Sequence, residues 1–377
     1  MQGEEPTRQA ADHRTLTVRR WSVEEWLGNE VAWNDLVGRS ATDALFLSWE
    51  WLTNWWHCFG SSVGGMPEIL AVYQGADLVG LAPLYCRRLV RGGFVPTHSV
   101  QFLGLSWRDD VPLISEYLDV IAAAGDLERV REACVRFLLR APGWTEFLAG
   151  FTPAAARWRE LYSRCAAARV HYVRELDRSV AYQADLTAGF PAYLRDLHQS
   201  TRRSIWNLRR RLHEFGPVRL EELPATDIAG GFRDLNRLHE LRWQKPAFGV
   251  RRLQFHTALA QRLAERGELA LSRLWVGGQV VSVLYDVRKG TRQYNIKMAF
   301  DPGFNPRVSL GLLHLGYAME AAAERRVGCY DFLAGPGRSS DFKRLLSQQR
   351  LDLSCVQMLR GALLTSLYRW GDRVRQR

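Results

Sequence analysis

Residues 269–300, LALSRLWVGGQVVSVLYDVRKGTRQYNIKMAF, hold the strongest fold signal in the chain. Three runs rich in Val, Leu, Ile, Tyr and Trp are separated by Gly277-Gly278 and by Lys289-Gly290. β-Branched and aromatic runs broken by such pairs read as antiparallel strands joined by tight turns. A three-stranded meander is expected here. After it, Ser309–Arg326 reads as a helix, CYDFLAG (329–335) as a strand, SSDFKRLLS (339–347) as a short helix and LDLSCVQML (351–359) as a last strand before a C-terminal helix. Before it come a strand, VAYQADL (180–186), a largely helical and strongly basic segment, Ala192–Phe215, a short strand, Val218–Leu223, and helices over Asp227–Trp243 and Leu253–Arg266.

The first half repeats the same order. VYQGADLVG (72–80) aligns with WVGGQVVS (275–282), Gly75 on Gly277 and Val79 on Val281. Each hairpin follows two helices, here 22–38 and 46–59, and precedes another strand, a helix and a strand: HSVQFLG (98–104), Asp126–Arg140 and TEFLAGF (145–151). A strand over TLTVRRW (15–21) and a helix over Ala154–Ala168 complete this half. Repetition on this scale predicts two copies of one α/β (α+β) unit, each a mixed, mostly antiparallel sheet flanked by helices. The copies span 15–171 and 172–377, after a polar tail, 1–14. The tryptophan-rich helix 46–59 reads as a packed aromatic face.

The composition is that of a folded protein: 377 residues, 47% hydrophobic and 24% charged. Net charge is +11, and Lys occupies only positions 245, 289, 297 and 343, so Arg supplies 51 − 4 = 47 of the cations. Residues 1–14 carry three acids and no apolar stretch, unlike a targeting signal. No apolar run is long enough to span a membrane. The six cysteines (58, 86, 134, 165, 329, 355) lack CxxC or metal-ligand spacing. The expected setting is cytoplasmic, with reduced thiols, no metal and no membrane insertion; the sequence leaves the oligomeric state open.

The order helix–helix–hairpin–strand–helix–strand resembles the GNAT acyltransferase fold. The second half is similar to the CelD/BcsL-type branch of that superfamily, relatives of the Fem aminoacyl transferases with tandem GNAT domains. The residues that carry this are LHELRW (238–243), the meander with RQYNIKMAFDPGF (292–304), Ser309-Leu310-Gly311, YDFLAG (330–335) and DFK (341–343). FLSWEWLTNWW (46–56), FLG (102–104) and EYLD (116–119) extend it more loosely into the first half. The branch usually has Ser-Pro-Gly at 309–311, an acidic residue after the glycine of DFL-x-G, and Tyr-Lys at 342–343. Here Gly335 precedes Pro336-Gly337, Phe342 replaces the Tyr, and Arg307 lies four residues before Gly311, so the R/Q-x-x-G-x-G/A signature is not intact.

Acyl transfer to an amine needs orientation, removal of one proton and stabilisation of an oxyanion; no nucleophilic side chain is required. The resemblance implies donor binding at the start of the helix after the meander, where unpaired backbone N–H groups favour an anion. That site is Arg307, Val308, Ser309, Leu310 and Gly311, with Ser309 as cap and Gly311 admitting the ligand. Phe342-Lys343 matches an aromatic-Lys pair that serves the donor. Catalytic candidates are Lys343, Asp331, Tyr294 and His239. Substrate candidates are Trp243, Arg242, Asn295 and Tyr330; His239, Arg242 and Trp243 share one helix face. Arg202, Arg203, Arg209 and Arg210, with Trp206 beside them, form a candidate nucleic-acid track.

Three functions compete. The first is an N-acyltransferase using acyl-CoA, acetyl-CoA foremost, to acylate an amine of a small molecule or polymer precursor by direct attack. The second is an aminoacyl-tRNA-dependent Fem-like transferase, favoured by the charge and disfavoured by the absence of a heptad run. The third is a noncatalytic binding protein on a GNAT scaffold.

Overall fold

A computed structural model describes residues 15–91, 93–107, 111, 113–166, 171–334 and 339–375. The tail 1–14 lies outside the described residues. Among these residues thirteen strands form one sheet: β1 (Leu16–Trp21), β2 (Gly65–Gln74), β3 (Asp77–Arg91), β4 (Val95–Phe102), β5 (Ile121–Ala122), β6 (Glu146–Pro153), β7 (His171–Asp185), β8 (Val218–Glu222), β9 (Leu269–Val276), β10 (Gln279–Lys289), β11 (Arg292–Phe300), β12 (Cys329–Ala334) and β13 (Gln349–Arg360). The flanking helices are α1 (Val23–Gly28), α2 (Glu30–Gly38), α3 (Trp49–Val63), α4 (Leu127–Arg140), α5 (Trp158–Cys165), α6 (Phe190–Asp196), α7 (Gln199–Arg202), α8 (Arg209–Leu212), α9 (Ile228–Trp243), α10 (Val250–Glu265), α11 (Leu310–Glu324), α12 (Ser339–Leu346) and α13 (Ala362–Arg375).

The sheet order, β1-β2-β3-β4-β6-β13-β7-β12-β11-β10-β9-β8, displays the repeat. In the first half β2, β3 and β4 are antiparallel, and β4 then runs parallel to β6 over Ser99–Gln101 and Glu146–Leu148 only. In the second half β9, β10 and β11 are antiparallel, and β11 runs parallel to β12 over Arg292–Tyr294 and Cys329–Asp331 only. The meander is as read: Gly277 and Gly278 both have positive φ, 57° and 82°, which a two-residue hairpin loop demands and glycine supplies. Beyond Tyr294, β11 stays with β10 while β12 follows β7, so the two parallel strands part.

The seam is made by exchange. β7 pairs with β12 and, along its length, with β13; β13 then pairs with β6 of the first half. The position 171/172 falls at the start of β7, and the sheet is continuous across it. Helices tighten the seam. Trp51 of α3 packs edge-on against Phe255 of α10 with centroids 5.0 Å apart, and Asn54 Nδ2 donates to the Phe255 carbonyl at 2.8 Å. The buried Glu50 carboxylate takes Lys289 Nζ at 2.5 Å and Arg266 Nη1 at 3.1 Å. Removing Lys289, the less exposed partner, costs about 3–5 kcal/mol, whereas Arg266 is partly exposed and contributes less. The main apolar core runs through both halves, and Trp49, Trp51 and Trp55 lie in it; two smaller clusters back the second half.

Three helices read as continuous are broken. Asn29 (φ −110°, ψ 37°) divides 22–38, and Arg157 at φ 49° interrupts 154–168. The basic segment is four short pieces around a π-helical turn, Arg203–Asn207. There Ile205 presses on α11: a Cβ on Gly316 would lie 2.2 Å from the Ile205 carbonyl oxygen. Side-chain periodicity could not report this backbone contact, which breaks the 3.6-residue repeat.

Candidate functional site

Where β11 and β12 part, a buried polar network joins the two halves. Asp331 on β12 accepts the Tyr117 hydroxyl at 3.0 Å, Gln183 Nε2 at 2.7 Å and the Leu333 N–H at 2.8 Å. Arg292 lies 3.6 Å from both Asp331 and Asp43, and the Tyr294 hydroxyl donates to Asp43 at 2.8 Å. Burial raises the pKa of both carboxyls, and the Arg292 guanidinium opposes it. Asp331 and Tyr294, read as catalytic, are thus held fast by partners and fully buried. They brace the seam, contrary to the expectation that they face a substrate.

Lys343, on α12, is also buried, at 8% exposure, because its side chain folds over the end of β12. Its Nζ donates to the carbonyls of Leu333 at 3.1 Å and Ala334 at 3.0 Å. Burial lowers its pKa, while Glu116 and Asp331 work against that. Glu116, half-buried in the loop before β5, accepts the Ala334 N–H at 2.7 Å. Burial, with repulsion from Asp331, pushes its carboxyl up to about 7, against the pull of Lys343. Leu333 has φ 59°, so the strand end is kinked where Lys343 and Glu116 grip it from either half. A carboxyl that titrates near neutrality beside a parted strand pair has the properties of a proton acceptor. Sequence reading missed Glu116.

A second network lies behind it. Asp286 accepts Tyr330 Oη at 2.5 Å, Gln293 Nε2 at 2.7 Å and Asn295 Nδ2 at 2.8 Å. Burial brings its carboxyl to about 6 despite these donors. Tyr330 and Asn295, expected to contact substrate, are therefore structural partners of a carboxylate that the sequence did not single out.

On the free part of β11, Lys297 is half-buried, and its pKa is lowered by burial and then by Arg252 and Lys245. His239 is buried; its Nδ1 meets the Lys245 carbonyl at 2.7 Å, and burial lowers its pKa. A ring nitrogen so occupied leaves only Nε2 for chemistry, which weakens the general-base reading. Arg242 and Trp243 stay exposed, the guanidinium lying 4.9 Å from the Trp243 ring and 4.8 Å from Phe300 on the same strand.

The tip of α11 differs from expectation in detail. Ser309 is the N-cap residue, but its side chain makes no capping bond. Val308 and Leu310 are buried in the core. Gly311 is required by packing, since a Cβ there would meet Phe300 at 2.9 Å and Met298 at 3.0 Å. What the tip can offer a ligand is its backbone N–H groups and Arg307. Beside it lies a cavity of about 630 Å³ lined by His198, Ser200, Arg203, Ser204, Arg211 and Arg307. The π-helical turn thus brings Arg203, read as a nucleic-acid residue, to Arg307, read as a donor residue. Arg209 goes elsewhere: its guanidinium is 3.7 Å from both the Trp206 and Tyr317 rings and 2.6 Å from Glu320. Arg202 is half-buried, Arg210 is exposed, and Phe342 packs half-buried on the core of the second half.

The parting of β11 from β12 ahead of α11 is the geometry on which the comparisons bear. Residues 199–344 match the acetyltransferase (GNAT) domain family. Residues 199–344 thus carry a GNAT-type domain, the match marks a transferase, and the chain as a whole has the fold of the solved structures that follow. The fold is similar to the crystal structure of FemX (11% identity, 89% of this chain and 96% of that one, TM-score 0.57). It is also similar to a conserved protein of unknown function from Bacteroides thetaiotaomicron (10%, 91% and 100%, TM-score 0.56). A third likeness is to L-PGS from Bacillus licheniformis (10%, 93% and 96%, TM-score 0.51). No curated protein matches the sequence.

Proposed function

We propose that the chain is an N-acyltransferase whose donor is an acyl-CoA and whose acceptor is an amine, joined by direct attack. The observation that carries this reading is the arginine-lined cavity that reaches Arg307, three residues before the start of α11. A donor bearing phosphates suits three guanidiniums and a helix N-terminus. The thioester would then enter between β11 and β12. Glu116, ionised in part near neutral pH, takes the proton released as the amine attacks the thioester carbon. The tetrahedral oxyanion collapses to the amide and expels the CoA thiolate. Lys343 acts as a positioning residue, holding the strand end against which the donor lies. The protein works in the cytoplasm in this reading, and among the described residues no helix is long and apolar enough to cross a membrane.

The likeness to FemX and the exposed Arg203 and Arg210 favour a second reading, in which aminoacyl-tRNA is the donor. Thermal-shift titration separates them. CoA or acetyl-CoA at about 100 times its Kd adds roughly 2.7 kcal/mol of stability, and Arg203→Ala with Arg307→Ala removes that gain. Stabilisation by charged tRNA and not by CoA would overturn the first reading.

A further inference from the structure

The C-terminal helix leaves an apolar face uncovered. Leu363, Leu367, Trp370 and Val374 follow the i, i+4, i+7, i+11 spacing of one stripe, and they are 73%, 36%, 68% and 55% exposed. The opposite face is used internally: Leu364 and Thr365 are buried, and Asp372 accepts the Tyr172 hydroxyl at 3.0 Å and pairs with Arg174 at 2.9 Å. The stripe continues onto the tip of the β3–β4 hairpin, where Val90 and Phe94 are 63% and 74% exposed. Those two residues share the lining of one cavity of about 480 Å³ with Leu367 and Trp370, so helix and hairpin form a single surface.

The exposed charges on the hairpin tip and α13 are arginines, although Arg87 is buried and Arg91 pairs with the buried Glu146. Residues 84–101 contain three arginines, Arg87, Arg88 and Arg91, and no acid. Within α13 the cations are Arg369, Arg373 and Arg375, and the one acid, Asp372, is turned inward onto Arg174. Arg88, Arg369 and Arg373 are exposed. A helix with Leu and Trp on one face and arginines beside it is built to lie in the plane of a lipid headgroup layer. Anionic lipid supplies both an apolar floor and the countercharge. A second copy of this chain would set the same arginines against each other across a two-fold contact, at a net charge of +11 per chain.

We propose that α13 and the β3–β4 tip form a docking surface for an anionic lipid bilayer, bound peripherally. The proposal is independent of the acyl-transfer reading. It is tested by co-sedimenting the full chain with vesicles of phosphatidylcholine alone and of phosphatidylcholine mixed with phosphatidylglycerol. Binding is expected to the mixed vesicles only, weakening as ionic strength rises from about 0.1 M to about 1 M, where the screening length falls to roughly 3 Å. Leu363→Ser with Trp370→Ser should weaken it roughly tenfold or more with an unchanged melting midpoint. Phe94→Ser, on the separate hairpin, repeats the test where the helix variant fails to fold. Three results would overturn the proposal: no binding to the mixed vesicles at low salt, full binding by these variants, or a wild-type dimer in light scattering that the variants convert to monomer.

Discussion

Glu116→Gln tests the proposed proton acceptor. Glutamine keeps an oxygen for the Ala334 N–H, which the carboxylate accepts at 2.7 Å, but cannot titrate. In the folded protein the carboxyl is pushed from 4.5 to about 7, chiefly by burial. At about 1.4 kcal/mol per pH decade, that displacement is worth roughly 3 kcal/mol. The folded state binds this proton more tightly than the unfolded chain, so its contribution is fully present below pH 4.5 and is lost as pH rises through about 7. Urea melts of both proteins at about pH 5 and about pH 8 should therefore show the variant gaining roughly 3 kcal/mol relative to wild type at the higher pH. Loss of the carboxylate beside Lys343 trims that gain. In turnover, kcat/KM of wild type should climb through a midpoint near 7, and the variant should lose that limb with about 10²–10⁴ of its rate. A variant that keeps both the limb and the rate would show that Glu116 is only a clamp on β12.

Lys343→Met removes the ammonium that favours the Glu116 carboxylate, so the rising limb should move to higher pH, with a lower melting midpoint from two lost carbonyl contacts; an unmoved limb would uncouple the two residues. Arg209→Ala should destabilise by about 2–4 kcal/mol in a urea melt, through loss of its ring contacts and of the partner of Glu320. It should leave the salt dependence of donor binding unchanged, and a changed slope would return Arg209 to the anion site. Gly316→Ala forces a Cβ onto the Ile205 carbonyl oxygen and should cost about 1–3 kcal/mol, seen as a lower melting midpoint. An unchanged midpoint would show that the π-helical turn yields freely.

The architecture was legible because its signals are local. The meander needed only period-two alternation and two glycine turns, and the repeat needed only the hairpin at 72–80 laid on that at 275–282. The site was legible in part. Lys343 was singled out, and it does grip the end of β12, but by donating to two carbonyls. Glu116 and Tyr117 stand in EYLD, a stretch that helped to suggest the fold, and they meet the end of β12 from the far half of the chain. A contact across 214 residues of chain leaves no periodic trace. A closer signal was present: TEFLAG (145–150) and YDFLAG (330–335) repeat four residues with an acid before them, and both acids, Glu146 and Asp331, are fully buried. The single arginine face drawn at 3.6 residues per turn does not survive the π-helical turn, which leaves Arg203 and Arg210 exposed and sends Arg209 to Glu320.

The seam explains why one half alone would not suffice. Lys343 and Asp331 come from the second half, and Glu116, Tyr117 and Asp43 from the first, yet all bear on the end of β12. Burial there raises three carboxyls, Asp43, Glu116 and Asp331, near one guanidinium and one ammonium. Asp331 takes three donors and Asp43 is bonded to Tyr294, whereas Glu116 is half-buried and has the Ala334 N–H as its contact. Of three neighbouring acids, the least restrained is therefore the one with a proton to exchange. Its basicity depends on the first half staying docked, because undocking would restore water to the carboxyl and return it toward 4.5. Readiness for proton transfer is on this account coupled to the packing of both halves on the end of β12.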